Sequence, residues 1–187
     1  MSGVDAEGWV EGARRIPSPN CDERPSGQTV RLIVIHAISL PPGEFGGDGI
    51  VQLFTNMLDP AAHPYYREIQ SLRVSAHFLI RRDGELVQFV PCRLRAWHAG
   101  NSCWRGVGGC NDFSIGIELE GSDEVSFEAA QYTTLARLIV RLRQHYPILD
   151  IAGHADVAPG RKSDPGPHFD WARLHRILAG AAAEKSA

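Results

Sequence analysis

The feature that most constrains the fold is the apolar run VRLIVIHA at residues 30–37. Its β-branched residues are continuous rather than alternating with polar ones, which is typical of a central strand buried on both faces. The stretch PPGEFGGDG at residues 41–49 is rich in proline and glycine and therefore predicts a loop. The run thus predicts a buried strand that ends with a polar side chain, His36, at the edge of a sheet.

Three further stretches predict strands. The segment SAHFLIRRDGELVQFVP predicts a hairpin with a tight turn at Asp83 and Gly84. Residues 113–121, FSIGIELEG, alternate as a strand, and this alternation places Glu118 and Glu120 on the same face. The segment LDIAGH predicts a short strand that leads into a loop.

Two long helices are expected in the second half of the chain. The first has Ser126 as its predicted N-cap and Glu128 in its first turn. Its apolar face has helical spacing and consists of Leu135, Leu138, Ile139, Leu142 and Tyr146. The second begins near an N-cap at Asp170, and shorter helices are predicted at residues 50–58 and near residues 8–14.

Together these elements predict a mixed α/β fold with a central mixed β-sheet of about five strands flanked by helices. A length of 187 residues is sufficient for one domain with a substantial core. We therefore expect a single domain over residues 1–187. The polar, proline-rich residues 1–29 would form a wrapping N-terminal arm, and residues 181–187 a flexible tail.

Charge and composition exclude several classes of function. The net charge is −3 and no basic block is present, so we expect no nucleic-acid partner. The first residues are acidic where a signal peptide would be basic, and no run approaches the roughly 18 apolar residues of a membrane span. We therefore expect a cytoplasmic, monomeric protein that does not bind membranes. Four cysteines without a CxxC pair are expected to be reduced and structural.

The loop HADVAPGRKSD, residues 154–164, collects residue types that bind metals. His154 and Asp164 could be two ligands of a zinc ion, which accepts imidazole nitrogen and carboxylate oxygen. His36 is the best candidate for a third ligand, although a lone histidine at a strand end is more often a core residue with satisfied hydrogen bonds. His77 lies inside a predicted strand and is expected to pack there or to support a metal ligand through a hydrogen bond, and His98 could line a pocket. Turn or surface positions are expected for the remaining histidines, which are His63, His145, His168 and His175.

The chain resembles the zinc-dependent N-acetylmuramoyl-L-alanine amidases of the amidase-2 family. Within that family it is similar to the amidases that act on 1,6-anhydro-N-acetylmuramyl peptides. Matching stretches occur in the same order almost from end to end. They are RRIPSPN, VIHAISLPPGEFGG, LDPAAHPYY, LRVSAHFLIRRDGELVQFVP, RAWHAG, CNDFSIGIELEG and GHADVAPGRKSDPGPHFDW. The resemblance implies the fold of that family, which peptidoglycan recognition proteins share.

The resemblance also implies the site residues and their chemistry. One zinc ion per chain would be held by His36, His154 and Asp164, and Glu118 and Lys162 would be the catalytic pair. Zinc lowers the pKa of a bound water toward about 7. Glu118 would move the proton of this water to the leaving amine of L-alanine, and the Lys162 ammonium would stabilise negative charge on the carbonyl oxygen.

Substrate contacts are predicted at six positions, with the guanidinium of Arg73 suited to a carboxylate of the stem peptide. The six are Arg73, Tyr65, Trp97, Ala96, Arg105 and Leu119. Two positions depart from the family pattern: Ala37 stands where relatives usually carry asparagine, and Gly109 stands where a second arginine is expected. Arg105 could substitute for that arginine.

The expected function is hydrolysis of the amide bond between the lactyl group of muramic acid and L-alanine, in the cytoplasmic recycling of peptidoglycan. The resemblance further implies that such an enzyme removes a signal for β-lactamase induction in some bacteria. Two alternatives remain open. One is a muropeptide-binding module of the same fold without catalysis, and the other is an amidase that acts on the intact cell wall. The absence of a signal peptide disfavours the second.

Overall fold

The computed structural model describes residues 3–183, which form ten strands and five α-helices in mixed order. The strands are β1 (Arg14–Arg15), β2 (Cys21–Asp22), β3 (Leu32–Ile38), β4 (Phe78–Ile80), β5 (Leu86–Gln88), β6 (Arg95–Ala96), β7 (Cys103–Trp104), β8 (Val107–Gly108), β9 (Ser114–Glu120) and β10 (Asp150–Gly153). The helices are α1 (Gly49–Phe54), α2 (Pro64–Ile69), α3 (Ala129–His145), α4 (His154–Val157) and α5 (Trp171–Ala183).

Six of the strands form the central sheet, in the order β1-β5-β4-β9-β3-β10. Strand β3 lies between β9 and β10 and is parallel to both, while β4 and β5 form the predicted antiparallel hairpin. The mixed α/β prediction is confirmed. The sheet has one strand more than expected because the N-terminal arm adds β1 beside β5.

The central strands are buried on both faces, as the continuous apolar run predicts. Alternate residues of β3 and β9 pack with α3 and α5 on one face, among them Ile33, Ile115 and Leu119. The other face of β3 carries Leu32 and Val34, which belong to a second apolar cluster. His36 follows these two residues in the same alternation, so its side chain is on the face away from α3.

Two of the helix predictions are wrong in detail. The helix expected near residues 8–14 is absent, because Gly8 and Gly12 adopt φ angles of +95° and +83° and the segment turns instead. A Cβ at Gly8 would lie 2.7 Å from the backbone nitrogen of Cys92, so this close approach requires glycine. Helix α3 has the predicted buried face, but its N-cap is Glu128 in a capping box rather than Ser126.

The C-terminal half confirms the predicted start of the last helix, whereas α1 ends at Phe54, four residues before its predicted end. The Asp170 carboxylate accepts a 2.8 Å hydrogen bond from the backbone N–H of Arg173, as an N-cap should. Helix α5 continues through Ala183, so the first three residues of the predicted tail are helical, and residues 184–187 lie outside the described part of the chain. Among residues 3–183, no helix has the length and apolar character needed to cross a membrane.

Candidate metal centre and catalytic cleft

The candidate site forms where β3, β9 and β10 end. His36 lies near the end of β3, Glu118 lies opposite it on β9, and His154 directly follows β10. Parallel strands end at the same edge of a sheet, so the chain direction brings these three side chains together. The loop after His154 begins with the single turn of α4, although its proline and glycine had predicted no helix there. It then returns to the site at Asp164.

Three ligand atoms form a nearly equilateral triangle at this edge. The Nδ1 atoms of His36 and His154 are 3.0 Å apart, and they lie 3.2 Å and 3.1 Å from Oδ2 of Asp164. A tetrahedral zinc ion with bonds of about 2.0–2.2 Å keeps its ligands about 3.3–3.6 Å apart. The triangle is therefore within a few tenths of an ångström of one face of a zinc coordination tetrahedron.

The protonation states of the three side chains also suit a divalent metal. Burial lowers the pKa of His36 to about 4, so this imidazole is neutral at pH 7. Burial alone would raise the pKa of Asp164, but its close contacts with the imidazoles of His154 and His36 outweigh it and lower the pKa. The set is therefore one carboxylate and at least one neutral imidazole, and deprotonated ligands are the forms that bind metals.

The outer nitrogen of each imidazole has a partner that fixes the ring. Nε2 of His154 donates to the carbonyl oxygen of Ala99 over 3.3 Å, because a carbonyl can only accept. Nε2 of His36 lies 2.9 Å from Nδ1 of His98. A proton on each Nε2 leaves both Nδ1 lone pairs pointing into the triangle, which is the arrangement a metal requires.

Glu118 is a buried carboxyl group beside this triangle. Burial raises its pKa well above the usual range, the negative charge of Asp164 raises it further, and the Lys162 ammonium opposes the rise. Its Oε2 atom is buried and has no hydrogen-bond partner among residues 3–183. A buried carboxyl group with a raised pKa in a cleft is a candidate general acid or base.

A cleft of about 400 Å³ contains the triangle, Glu118 and Lys162. Lys162 is exposed, and its backbone N–H donates to the carbonyl oxygen of Ala158. The next residue, Ser163, donates a 2.7 Å hydrogen bond to Asp123, which joins the metal loop to the segment after β9. Apolar side chains line another part of the cleft, namely Ile38, Leu53, Phe54, Tyr65, Val74 and Trp97.

Comparison with known proteins identifies the family. Residues 26–167 match the model of the Amidase_2 family, described as N-acetylmuramoyl-L-alanine amidase. The chain belongs to the amidase-2 family.

Two curated members of the amidase-2 family are similar over nearly the whole chain. The chain is 57% identical to 1,6-anhydro-N-acetylmuramyl-L-alanine amidase AmpD of Escherichia coli strain K12, over 92% of this chain and 96% of that protein. It is 49% identical to the AmpD of Haemophilus influenzae, over 89% of this chain and 92% of that protein.

Solved structures of amidase-2 proteins share the fold. A crystal structure of a selenomethionine AmpD derivative matches with a TM-score of 0.91 and 55% identity, over 94% of this chain and 98% of that one. The E. coli amidase AmiD, in complex with the substrate anhydro-N-acetylmuramic acid-L-Ala-D-gamma-Glu-L-Lys, matches with a TM-score of 0.57 and 29% identity. That match covers 93% of this chain and 65% of AmiD.

The structure brings together some of the predicted substrate residues and leaves others apart. Tyr65 and Trp97 line the cleft. Leu119 is fully buried against α3, on the face of β9 opposite Glu118. Ala96 is buried in the apolar cluster that contains Leu53 and Phe54 of the cleft wall, but it does not itself line the cleft.

The two predicted arginines are exposed and outside the cleft lining. Arg73 lies between Leu72 and Val74, which do line the cleft, and its guanidinium donates to the carbonyl oxygens of Gln70 and Leu72. Arg105 forms a 2.7 Å ion pair with Asp150. This ion pair is the polar contact that the structure gives its guanidinium.

The two departures from the family pattern have different settings. Ala37 lines the cleft next to His36. Gly109 has a φ of +71° and donates its N–H to the carbonyl oxygen of Ser102. Glycine adopts this left-handed conformation without the strain that a side chain adds.

His98 is the site residue whose role the sequence did not indicate. Of the two roles expected for His77, the structure shows packing: the ring is buried, its Nδ1 accepts from the backbone N–H of Gly116, and its Nε2 lies 3.1 Å from the Leu94 carbonyl oxygen. His98 contacts His36 instead. No local pattern distinguishes these two histidines, because the contact joins a loop to a strand 62 residues away.

Proposed function

We propose that this chain hydrolyses the amide bond between the lactyl group of 1,6-anhydro-N-acetylmuramic acid and the L-alanine of its stem peptide, with one zinc ion per chain. The observation that carries the proposal is the triangle of His36, His154 and Asp164 beside the unpaired Glu118 oxygen, inside one cleft. The names of similar proteins support the substrate class, because two AmpD relatives and a substrate-bound AmiD all act on or hold anhydromuramyl peptides.

His36, His154 and Asp164 would hold the zinc ion. When bound there, zinc acts as a Lewis acid that makes a water acidic and polarises a carbonyl group. Glu118 would take a proton from the attacking water and deliver it to the nitrogen of the leaving alanine. Its buried setting keeps the carboxyl group ready to hold that proton. The protonated amine then departs from the lactyl carboxylate.

Lys162 would stabilise the negative charge that develops on the carbonyl oxygen. Its ammonium group is in the metal loop and contributes to the cleft wall. One such donor supplies about 3–4 kcal/mol of transition-state stabilisation. Tyr65 and Trp97 would pack against the sugar or the peptide. Arg73, exposed at the adjoining segment, would bind a stem-peptide carboxylate once its guanidinium turns from the Gln70 carbonyl.

We further infer that the chain is one catalytic domain and acts as a cytoplasmic monomer in peptidoglycan recycling. The arm supports a single domain, because β1 belongs to the central sheet and β2 pairs with β6. Recycling of anhydromuropeptides is consistent with the names of the similar proteins, which are 1,6-anhydro-N-acetylmuramyl-L-alanine amidases.

The test is hydrolysis of anhydro-muramyl tripeptide by the purified chain, with the metal content of the same sample measured alongside. We expect one zinc per chain, release of free tripeptide, and loss of both in His154→Ala. The matched control is His168→Asn, at an exposed histidine outside the cleft, which should keep zinc and activity. Zinc binding without cleavage would indicate a muropeptide-binding module, and folded protein that takes up no added zinc would contradict the metal site.

A further inference from the structure

Two consecutive residues of one loop contact the metal-site imidazoles of His36 and His154 at their outer nitrogens, the Nε2 atoms. Nδ1 of His98 lies 2.9 Å from Nε2 of His36. The carbonyl oxygen of the next residue, Ala99, accepts a 3.3 Å hydrogen bond from Nε2 of His154. The two histidines come from β3 and from the end of β10, so the His98–Ala99 segment is an element that both of them share.

The His98 ring is fixed in its position by β9. Its Nε2 lies 3.1 Å from Oγ of Ser114. The ring packs against the backbone at Gly116, where an added Cβ would lie only 2.5 Å from Cγ of the imidazole. Glycine at this position therefore leaves the space that the ring fills, since any larger residue would displace it.

One side chain accepts hydrogen bonds from both backbone N–H groups of the same segment. Oδ1 of Asn111 accepts hydrogen bonds from the N–H of His98, at 3.2 Å, and from the N–H of Ala99, at 2.8 Å. Arg161 adds a 2.6 Å hydrogen bond to the Ala99 carbonyl oxygen. Asn111 thus fixes the place from which both imidazoles receive their outer hydrogen bonds.

We propose that His98 and Asn111 are positioning residues for the zinc site, and that they act together through the His98–Ala99 segment to aim both Nδ1 atoms at the metal. The proposal rests on the zinc site proposed above. Metal binding at Nδ1 of His36 requires the proton on Nε2, and His98 Nδ1 is the acceptor that holds this tautomer. Loss of the acceptor frees the His36 ring to rotate and to exchange tautomers.

The experiment measures zinc affinity by competition with a chromophoric chelator in wild type, His98→Leu and His98→Asn. Leucine has a similar size but no acceptor, and asparagine places an amide oxygen close to the Nδ1 position. We expect His98→Leu to weaken zinc binding by about 10–100-fold and His98→Asn to recover most of that loss. Asn111→Ala should also weaken zinc binding, and it carries the test if His98→Leu does not fold.

A second readout separates positioning from a general loss of structure. In zinc-loaded wild type, the His36 Nε2 proton should give a slowly exchanging downfield NMR signal. This signal should be absent in His98→Leu. His168→Asn, the matched surface control, should keep both the signal and the urea unfolding midpoint of the metal-free protein. Zinc affinities of His98→Leu and Asn111→Ala within about twofold of wild type would overturn this inference alone. A wild-type chain that binds no zinc would instead overturn the proposed function on which it rests.

Discussion

His36 and Glu118 are register partners on the neighbouring parallel strands β3 and β9. Both side chains lie on the face away from α3, and both line the cleft. A slip of one residue would turn one of them toward the core on the other side of the sheet. The pairing that builds the sheet therefore also sets a metal ligand beside the candidate proton carrier.

Glu118→Gln should abolish catalysis without loss of the metal. We expect kcat to fall by about 10²–10⁴-fold, the usual contribution of a positioned general acid or base. Stability of the metal-free protein should not fall, because the buried Oε2 has no partner to lose among the described residues. Steady-state kinetics, zinc content and urea unfolding of one preparation would check all three. A variant that keeps more than a tenth of wild-type kcat would contradict the role of Glu118.

The other acid on this strand face should behave in the opposite way. Glu120 is buried and forms a 2.9 Å ion pair with the buried Arg81. It also accepts from the backbone N–H of Gly46, while Arg81 donates to the Gly47 carbonyl oxygen. Removal of either partner leaves a buried charge unpaired and should lower the free energy of unfolding by about 3–5 kcal/mol.

A double-mutant cycle would check this pair. Urea unfolding of Arg81→Met, Glu120→Gln and the double variant should show that the double variant loses less stability than the sum of the two single variants. Strict additivity would mean that the two groups do not interact in the folded protein. Zinc binding should persist in each variant that folds, since neither residue contacts the metal triangle.

Local patterns in the sequence were sufficient for the elements that form the site. The β-branched run predicted β3 with His36 at its end, and the Asp83–Gly84 turn predicted the hairpin. Alternation placed Glu118 and Glu120 on one face. These features are encoded within a few residues, because periodicity and turn chemistry act locally.

Non-local pairing accounts for what the sequence did not predict. Strands β1 and β2 have two residues each and exist because they pair with β5 and β6, more than seventy positions away. The support of His36 by His98 is a single contact between a loop and a strand. Among eight histidines, composition did not single out the ligands. The loop and the strand end made His154, Asp164 and His36 the best candidates, the family resemblance implied the same three, and the structure placed their ligand atoms about 3 Å apart.

Zinc should stabilise the folded chain. A ligand present at about 1,000 times its Kd adds roughly 4 kcal/mol to the free energy of unfolding, provided that it binds only the folded state. Thermal unfolding in the presence of a chelator should therefore occur at a lower Tm than with added zinc. Asp164→Asn should reduce this difference, because it replaces the carboxylate ligand by a neutral amide. Equal Tm values for wild type with and without zinc would contradict specific binding.

Asp22, in the N-terminal arm, should hold the Trp97 side chain of the cleft wall in place. Its Oδ1 accepts a 3.1 Å hydrogen bond from Nε1 of Trp97 and a 2.7 Å bond from Nε of Arg95. The hydrogen bond from Arg95 lowers the pKa of Asp22. Burial raises this pKa, but by less, so the pKa remains below its usual value. The carboxylate is therefore ionised at pH 7 and holds both partners. Its contribution would be lost only as the pH falls through this lowered pKa.

Asp22→Asn should raise KM for anhydro-muramyl tripeptide more than it lowers kcat, since Trp97 lines the cleft but lies outside the metal triangle. The matched control is Glu23→Gln, the next residue, whose ion pair with Arg93 is 3.5 Å long and exposed. Exposed pairs of this kind contribute little, so the control should leave both constants unchanged. A fall in kcat with KM unchanged would instead assign Asp22 to the chemical step rather than to the positioning of Trp97 in the cleft wall. Unchanged kinetics in Asp22→Asn would show that the arm does not hold Trp97 in place.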